Sequence, residues 1–324
     1  MRTRTKEGIA AVVFLFMCLC EPFPSLAQKS GALNKSAAPE LLTRGTANPI
    51  TASASDPRKL SENWIPEDID RAVPPVAPGV ACSLPAVLEG AGQRIKELVQ
   101  NVDRFTATEV LVHQEINPSG RIGRAVTVKF EYLVSISEER DGWLGVDELR
   151  NRSHSLDSFP SHIATTGTPS LVLIFHPRYI SDFKTSCEGL GEWHGQPAWQ
   201  VRFEQRADRP NHICSFIVRG VVYKVSLRGR AWILADSFQV AKLDTDIMES
   251  IPKIRLRLDH ESIEYRPVNS PTSKLQLWLP SSTELYMDFR GHRFYRKHSF
   301  NDFKIFSVNM QYQLGGLKES VAAQ

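Results

Sequence analysis

The sequence predicts an α+β domain: one large, curved antiparallel sheet of about ten strands, with a leading helix and short helices covering its concave face. Three observations predict it. One sustained apolar run at three-and-four spacing begins near residue 84, the spacing of a single amphipathic helix. The period then changes to two and recurs in short segments to the end of the chain, with turn residues between them. So many strands in one sheet must twist and curl, and the apolar face must be covered.

The chain opens with Arg2, Arg4 and Lys6, followed by the apolar run Ile9–Leu19, too short for the roughly 20 residues of a membrane-crossing helix. Residues 1–27 read as a signal peptide cleaved after Ala27, with the small residues Ser25 and Ala27 at the positions a signal peptidase checks. Lipid attachment at Cys18 or Cys20 is disfavoured by the bulky Met17 and Leu19 before them. This places the mature chain in the periplasm or outside the cell. Residues 28–81, rich in Ala, Ser, Thr and Pro without a sustained apolar period, read as a disordered or extended arm. Within it, residues 64–73 form a short island that could dock on the domain.

The domain is expected over 82–316, with 317–324 as a flexible C-terminus. Leu84, Val87, Leu88, Ala91, Ile95, Leu98 and Val99 predict a helix over 84–102, with Ser83 as N-cap. Residues 106–116 and 125–137 form a hairpin turned at 117–120. Phe130, Tyr132 and Val134 share the buried face of its second strand. Residues 138–169 read as an irregular, lid-like excursion, and 170–183 as a short helix interrupted at Pro177. Strands follow at 198–205, 213–218, 221–227, 231–234, 238–243, 253–265, 274–279, 284–294 and 303–312. The alternation set by Ile254, Leu256 and Leu258 breaks before Ile263 and Tyr265, which predicts a bulge near His260.

Three cysteines remain after cleavage, enough for one disulfide. Cys82 opens the helix and Cys187 begins the glycine-rich run to Gly191, read as a turn; these two are paired. Cys214, inside an apolar strand, is a buried thiol.

The run from Gly229 to Asp246, with Trp232 before a turn through Asp236, resembles a hairpin of the LolA-like superfamily. Leu277 to Tyr286, with its Leu279-Pro280 step, is similar to a later segment of that superfamily, and the helix followed by Phe105 to Glu109 matches its opening order. The chain also resembles a group of secreted bacterial proteins with segments like Cys187 to Gly191, Gln196 to Trp199 and Tyr286 to His292. The superfamily resemblance implies a half-barrel that carries lipoproteins, glycolipids or other acylated molecules, or that senses envelope stress.

Function follows as an expectation. Phe130, Tyr132, Trp199, Phe203, Tyr223 and Leu277 could line a concave apolar site for a lipid or acylated protein. Arg290, His292 and Arg296 would form a basic rim for its head group; the competing reading of this strand is a solvated edge. The alternative function is an envelope interaction or stress-sensor protein with a filled core and a protein partner. Membrane contact without spanning fits either reading.

Other chemistry finds little support. Ser153, His154, Asp157 and His162 offer triad residue types, but no Gly-x-Ser-x-Gly elbow accompanies them. Carboxylates such as Asp244, Asp246, Glu261 and Glu264 are expected to pair with neighbouring basic residues. No Cys/His spacing suggests a metal, so neither metal nor cofactor is expected. With 39 Lys+Arg against 36 Asp+Glu, the net charge of +3 supplies no broad field for nucleic acid.

Overall fold

A computed structural model describes residues 12–13, 66, 68–71, 73–138, 143–150, 159–209, 211–269 and 276–306. The expected cleavage site, residues 28–65 of the arm and residues 307–324 lie outside them. The elements are β1 (Val12–Val13), α1 (Leu84–Asn101), β2 (Arg104–Ile116), β3 (Val126–Glu138), β4 (Leu144–Arg150), α2 (Thr168–Leu171), β5 (Phe183–Trp193) and β6 (Gln196–Gln205). They continue with β7 (Ser215–Val218), β8 (Val221–Lys224), β9 (Leu227–Leu234), β10 (Val240–Ile247), β11 (Leu256–Asn269), β12 (Gln276–Phe289) and β13 (His292–Phe306).

Ten strands form one open antiparallel sheet in the order β4-β3-β2-β13-β12-β11-β10-β9-β6-β5. The first and last of its strands in the chain, β2 and β13, pair with each other as the third and fourth in this order. The hairpin β7–β8 leaves this sheet; β7 also pairs with β1, which lies within the segment expected to be cleaved, so the mature chain would keep the hairpin without it. No helix among the described residues is long and apolar enough to cross a membrane.

Directly opposed residues of neighbouring strands share a face, so the register separates the two sides. One row runs Cys187, Val201, Ala231, Leu243, Ile263, Thr283, His298, Leu111, Val128. This face is covered. Val87, Ala91, Ile95 and Leu98 of α1 share its core with Leu171 to Phe175, where α2 runs into a 3-10 turn. The next row, Ser186, Arg202, Arg230, Asp244, Ser262, Glu284 and Lys297, lies on the opposite, polar face.

Several local expectations need correction. The excursion at 138–169 contains β4, an edge strand. The run Cys187 to Gly191 is not a turn but the middle of β5, with a bulge between Cys187 and Gly189. Strands expected at 274–279 and 284–294 are largely one strand, β12, because Pro280 sits beside an extra residue, Ser281, whose hydroxyl donates to the Glu264 carbonyl at 3.0 Å. The break in β11 falls at Arg257, three residues before His260. Ser83 precedes α1, but its side chain makes no cap; its carbonyl accepts from Val87 N–H at 3.0 Å.

The end of the arm is docked, not free. Asp70 accepts from Arg202 at 2.7 Å and Arg228 at 2.8 Å, Asp68 accepts from Arg228 at 2.8 Å, and the Ile69 carbonyl accepts from Arg230 at 2.8 Å. All three arginines lie on the polar face. The arm then crosses the β5 edge, where Ala77 N–H donates to Leu190 at 2.7 Å. A disulfide joins Cys82 to Cys187 across 105 residues, with Cα atoms 6.4 Å apart. The chain thus passes from one face of the sheet to the other just before α1.

Candidate functional site

The six residues expected to line a ligand site all lie in packed clusters. Tyr132, Phe203 and Leu277 are buried in the main core, and Trp199 and Tyr223 pack against it. Phe130 belongs to a second cluster, stacked on Phe159 with ring centroids 5.1 Å apart. Gly229 shows how close the packing is, since a Cβ there would stand 2.3 Å from the Phe203 ring. Between α1 and the sheet, beside Tyr265 and Leu277, lies a void of ≈ 10 Å³, about the room one water needs.

The same face carries a buried ionic network that the sequence reading did not single out. Glu109 lies on the inward register of β2 between Ala107 and Leu111, and accepts both Nε and Nη2 of Arg150, the latter at 2.9 Å. Its Oε1 also meets His298 Nδ1 at 2.6 Å. His298 Nε2 in turn lies 2.9 Å from Thr165 Oγ1. Burial alone would raise the Glu109 carboxyl, but Arg150 and His298 outweigh it and hold it down at about 2. His298 is pushed below the usual imidazole range, by burial first, despite the pull of Glu109.

Arg296, expected on a basic rim, is fully buried. Its strand is not an edge but lies between β2 and β12. Its guanidinium donates to the carbonyls of Ile163 at 2.6 Å and Pro160 at 2.7 Å, and to His113 Nδ1 at 3.1 Å. Burial and the nearby Arg150 charge lower its pKa to about 9, which leaves it cationic at neutral pH. His113 is lowered to about 3 by burial and by Arg296, so its Nδ1 is free to accept. Glu148 completes the set, accepting from Tyr132 OH at 2.6 Å and from Gly167 N–H. The network is a latch: Arg296, His298 and Glu148 hold segment 159–167 onto the sheet.

Thr165, His298 and Glu109 form a hydroxyl–imidazole–carboxylate series, the order found in nucleophilic hydrolases. All three are buried, and Thr165 Oγ1 also receives Arg296 at 3.3 Å. No described cleft reaches them. His154 and Asp157 lie outside the described residues, and His162 is exposed.

The other expected rim residues sit elsewhere. Arg290 and its neighbour Gly291 line a cleft of ≈ 340 Å³ at one end of the sheet, with Pro252, Arg255, Leu256 and Arg257, and His292 follows exposed. Asp244 pairs with Lys242 at 2.9 Å and Asp246 with His260 at 2.7 Å, on the polar face. Glu261 faces the core with no described hydrogen bond to its Oε2. Cys214 is a buried free thiol whose pKa burial raises. Among the described residues, no group of three His, Cys, Asp or Glu could hold a metal ion.

No family model matches the chain, and no curated protein does. Among solved structures, it is similar to a DUF1329 family protein from Desulfovibrio piger, at 10% identity over 71% of this chain and 95% of that one, with a TM-score of 0.41. It is also similar to a structure described as an outer membrane lipoprotein-sorting protein domain from Vibrio parahaemolyticus, at 10% identity over 69% and 94% of the two chains, with a TM-score of 0.37. A LolA superfamily protein from Nitrosomonas europaea aligns at 14% identity over 70% and 96%, with a TM-score of 0.33.

Proposed function

We propose that this protein is a secreted, non-enzymatic binding protein of the bacterial envelope, whose half-barrel is a solid scaffold that engages its ligand from outside. The observation that carries the reading is the packing of the helix-covered face. Of the six aromatic and aliphatic residues that would line an acyl-chain cavity, Tyr132, Phe203 and Leu277 belong to the core shared with α1, Trp199 and Tyr223 pack against it, Phe130 stacks on Phe159, and a void beside α1 has room for about one water. An acyl tail gains about 0.8 kcal/mol per buried CH₂, but only where a cavity receives it. This favours the filled-core alternative over the carrier. The sealed Thr165–His298–Glu109 series supports a structural role over a catalytic one.

Native mass spectrometry of the chain expressed with its leader and purified from periplasm tests this. The expected result is a mature mass beginning at Gln28, unchanged after incubation with monomeric envelope lipids. A discrete acylated molecule that co-purifies and is lost in Phe203→Asp would overturn it in favour of a carrier. A mass that retains residues 1–27 would overturn secretion.

A further inference from the structure

Two turns meet at one end of the sheet, and a third comes near enough for the charge of its Arg219 to act on Arg290. Arg219-Gly220 joins β7 to β8, Arg290-Gly291 joins β12 to β13, and Pro252 to Arg255 leads into β11. The backbone N–H of Arg290 donates to the Arg255 carbonyl at 2.8 Å, which locks two of these turns together. The cleft between them, ≈ 340 Å³, exposes Arg255 and Arg257 beside the half-buried Arg290.

These arginines lack the carboxylate partner that eight others have; Arg71, Arg104, Arg121, Arg124, Arg209, Arg266 and Arg296 also lack one among the described residues, but none of those lines this cleft. Arg94, Arg150, Arg178, Arg202, Arg206, Arg228, Arg230 and Arg293 each pair with a carboxylate. Arg219, Arg255, Arg257 and Arg290 pair with none among the described residues, and Glu249, just before the cleft residue Ser250, makes no ion pair with them. Arg290 lies 5.2 Å from the ring of Phe289. Its pKa is lowered by partial burial and by the charges of Arg219 and Arg255, so the three form one concentrated positive field. Arg219, Arg255 and Arg290 also take φ of 54°, 56° and 55°. Glycine adopts that left-handed region freely and side-chain-bearing residues do not. Arginine at two such positions lining one cleft, with a third whose charge reaches it, points to a use for the side chains.

The apolar component sits beside them. Val221 and Val222, which follow Arg219-Gly220, are 52% and 39% exposed. Guanidinium groups bind phosphate oxygens through two parallel N–H bonds and are weakly hydrated. An apolar hairpin tip next to unpaired guanidiniums matches a surface where phosphates border hydrocarbon.

We propose that this end of the half-barrel is a docking site for the anionic phospholipid surface of a membrane, with Arg255, Arg257 and Arg290 receiving headgroup phosphates and Val221 and Val222 entering the interface. The proposal deepens, and rests on, the reading that the ligand is engaged from outside.

Co-sedimentation of the mature chain with vesicles tests it, using phosphatidylcholine alone and phosphatidylcholine with phosphatidylglycerol. Binding is expected only to the phosphatidylglycerol vesicles and should weaken with salt. Arg255→Gln and Arg290→Gln should each lower partitioning about five-fold. Val221→Ser with Val222→Ser should lower it at unchanged salt dependence. These side chains lie at the surface, and an unaltered melting temperature verifies folding. Absence of vesicle binding, equal binding to both vesicles, or binding indifferent to the arginines overturns the proposal. So does calorimetric binding of inorganic phosphate without vesicle binding. An unchanged native mass alongside any of these leaves the filled-scaffold reading standing, so the two fail separately.

Discussion

Arg296 donates to the Ile163 carbonyl at 2.6 Å, and this bond ties the interior strand β13 to the segment that covers it. The same guanidinium reaches Pro160 and Thr165, so one side chain satisfies most of the inward polar groups of residues 160–165. Arg296→Met keeps the packing volume but orphans two buried carbonyls. The expected loss is about 2–4 kcal/mol of stability. Hydrogen exchange should rise across 159–167 more than in α1, because the latch and not the helix loses its anchor.

The ion pair below that latch predicts an acid limb of unfolding. Glu109 titrates near 2 in the folded protein and near 4.3 unfolded. The unfolded state therefore binds more protons between these values. The stabilisation is complete above the unfolded pKa and is lost as pH falls toward 2. At neutral pH, Glu109→Gln leaves the buried Arg150 with Glu148 alone, 3.7 Å away, and should cost about 3 kcal/mol. Thermal melts of the two proteins should converge as pH falls; parallel curves down to pH 2 would refute the assignment.

Asp259 predicts the opposite sign. The bulge at Arg257 turns Asp259 and Glu261 toward the core, and burial raises the Asp259 carboxyl to about 7, with Asp246 adding to the effect. The folded protein holds a proton that the unfolded chain releases near 3.9, so this group's contribution to stability falls as pH rises from about 4 to 7. Asp259→Asn preserves the neutral form. Its melting temperature should exceed that of the parent more at pH 8 than at pH 5, and a difference independent of pH would sink the reading.

Much of this architecture was legible as local periodicity. The helix at 84–101 and the hairpin of β2 and β3 follow from residue spacing, and the Cys82–Cys187 pair is present although Cys187 sits in a strand and not in the turn expected there. Strand β4 was obscured because its inward positions after Val146 are Glu148 and Arg150, whose polarity hides an alternation that only the network explains. The basic run in β13 was assigned to one face with the right parity, since Phe294, Arg296, His298 and Phe300 do share a side. Alternation reports which residues share a face but not which face is wet. That depended on β2, whose Glu109 and His113 supply partners from almost two hundred residues away. Glu109 and His113, alternating with Phe105, Ala107 and Leu111, were the signal available in the sequence. In β5 the glycines suggested a turn, whereas their purpose lies in the chain that crosses them.

That crossing gives the last prediction. Gly189 has φ of 143°, and a Cβ there would stand 2.8 Å from Val76 Cβ, while one at Gly191 would meet the Pro75 carbonyl at 3.2 Å. The glycines leave room for the arm to pass over the edge strand on its way from Asp70 to the disulfide. Gly189→Ala should therefore displace residues 73–77 without unfolding the sheet, and proteases should cleave the arm there first. Cys82→Ser removes the covalent tie instead and should cost about 2–5 kcal/mol. Because the Asp68 and Asp70 contacts anchor the arm on the polar face independently, the Cys82→Ser arm should stay protected in the folded protein. Cutting of the Cys82→Ser arm as fast as the Gly189→Ala arm would mean that the Asp68 and Asp70 contacts do not hold the arm without the disulfide.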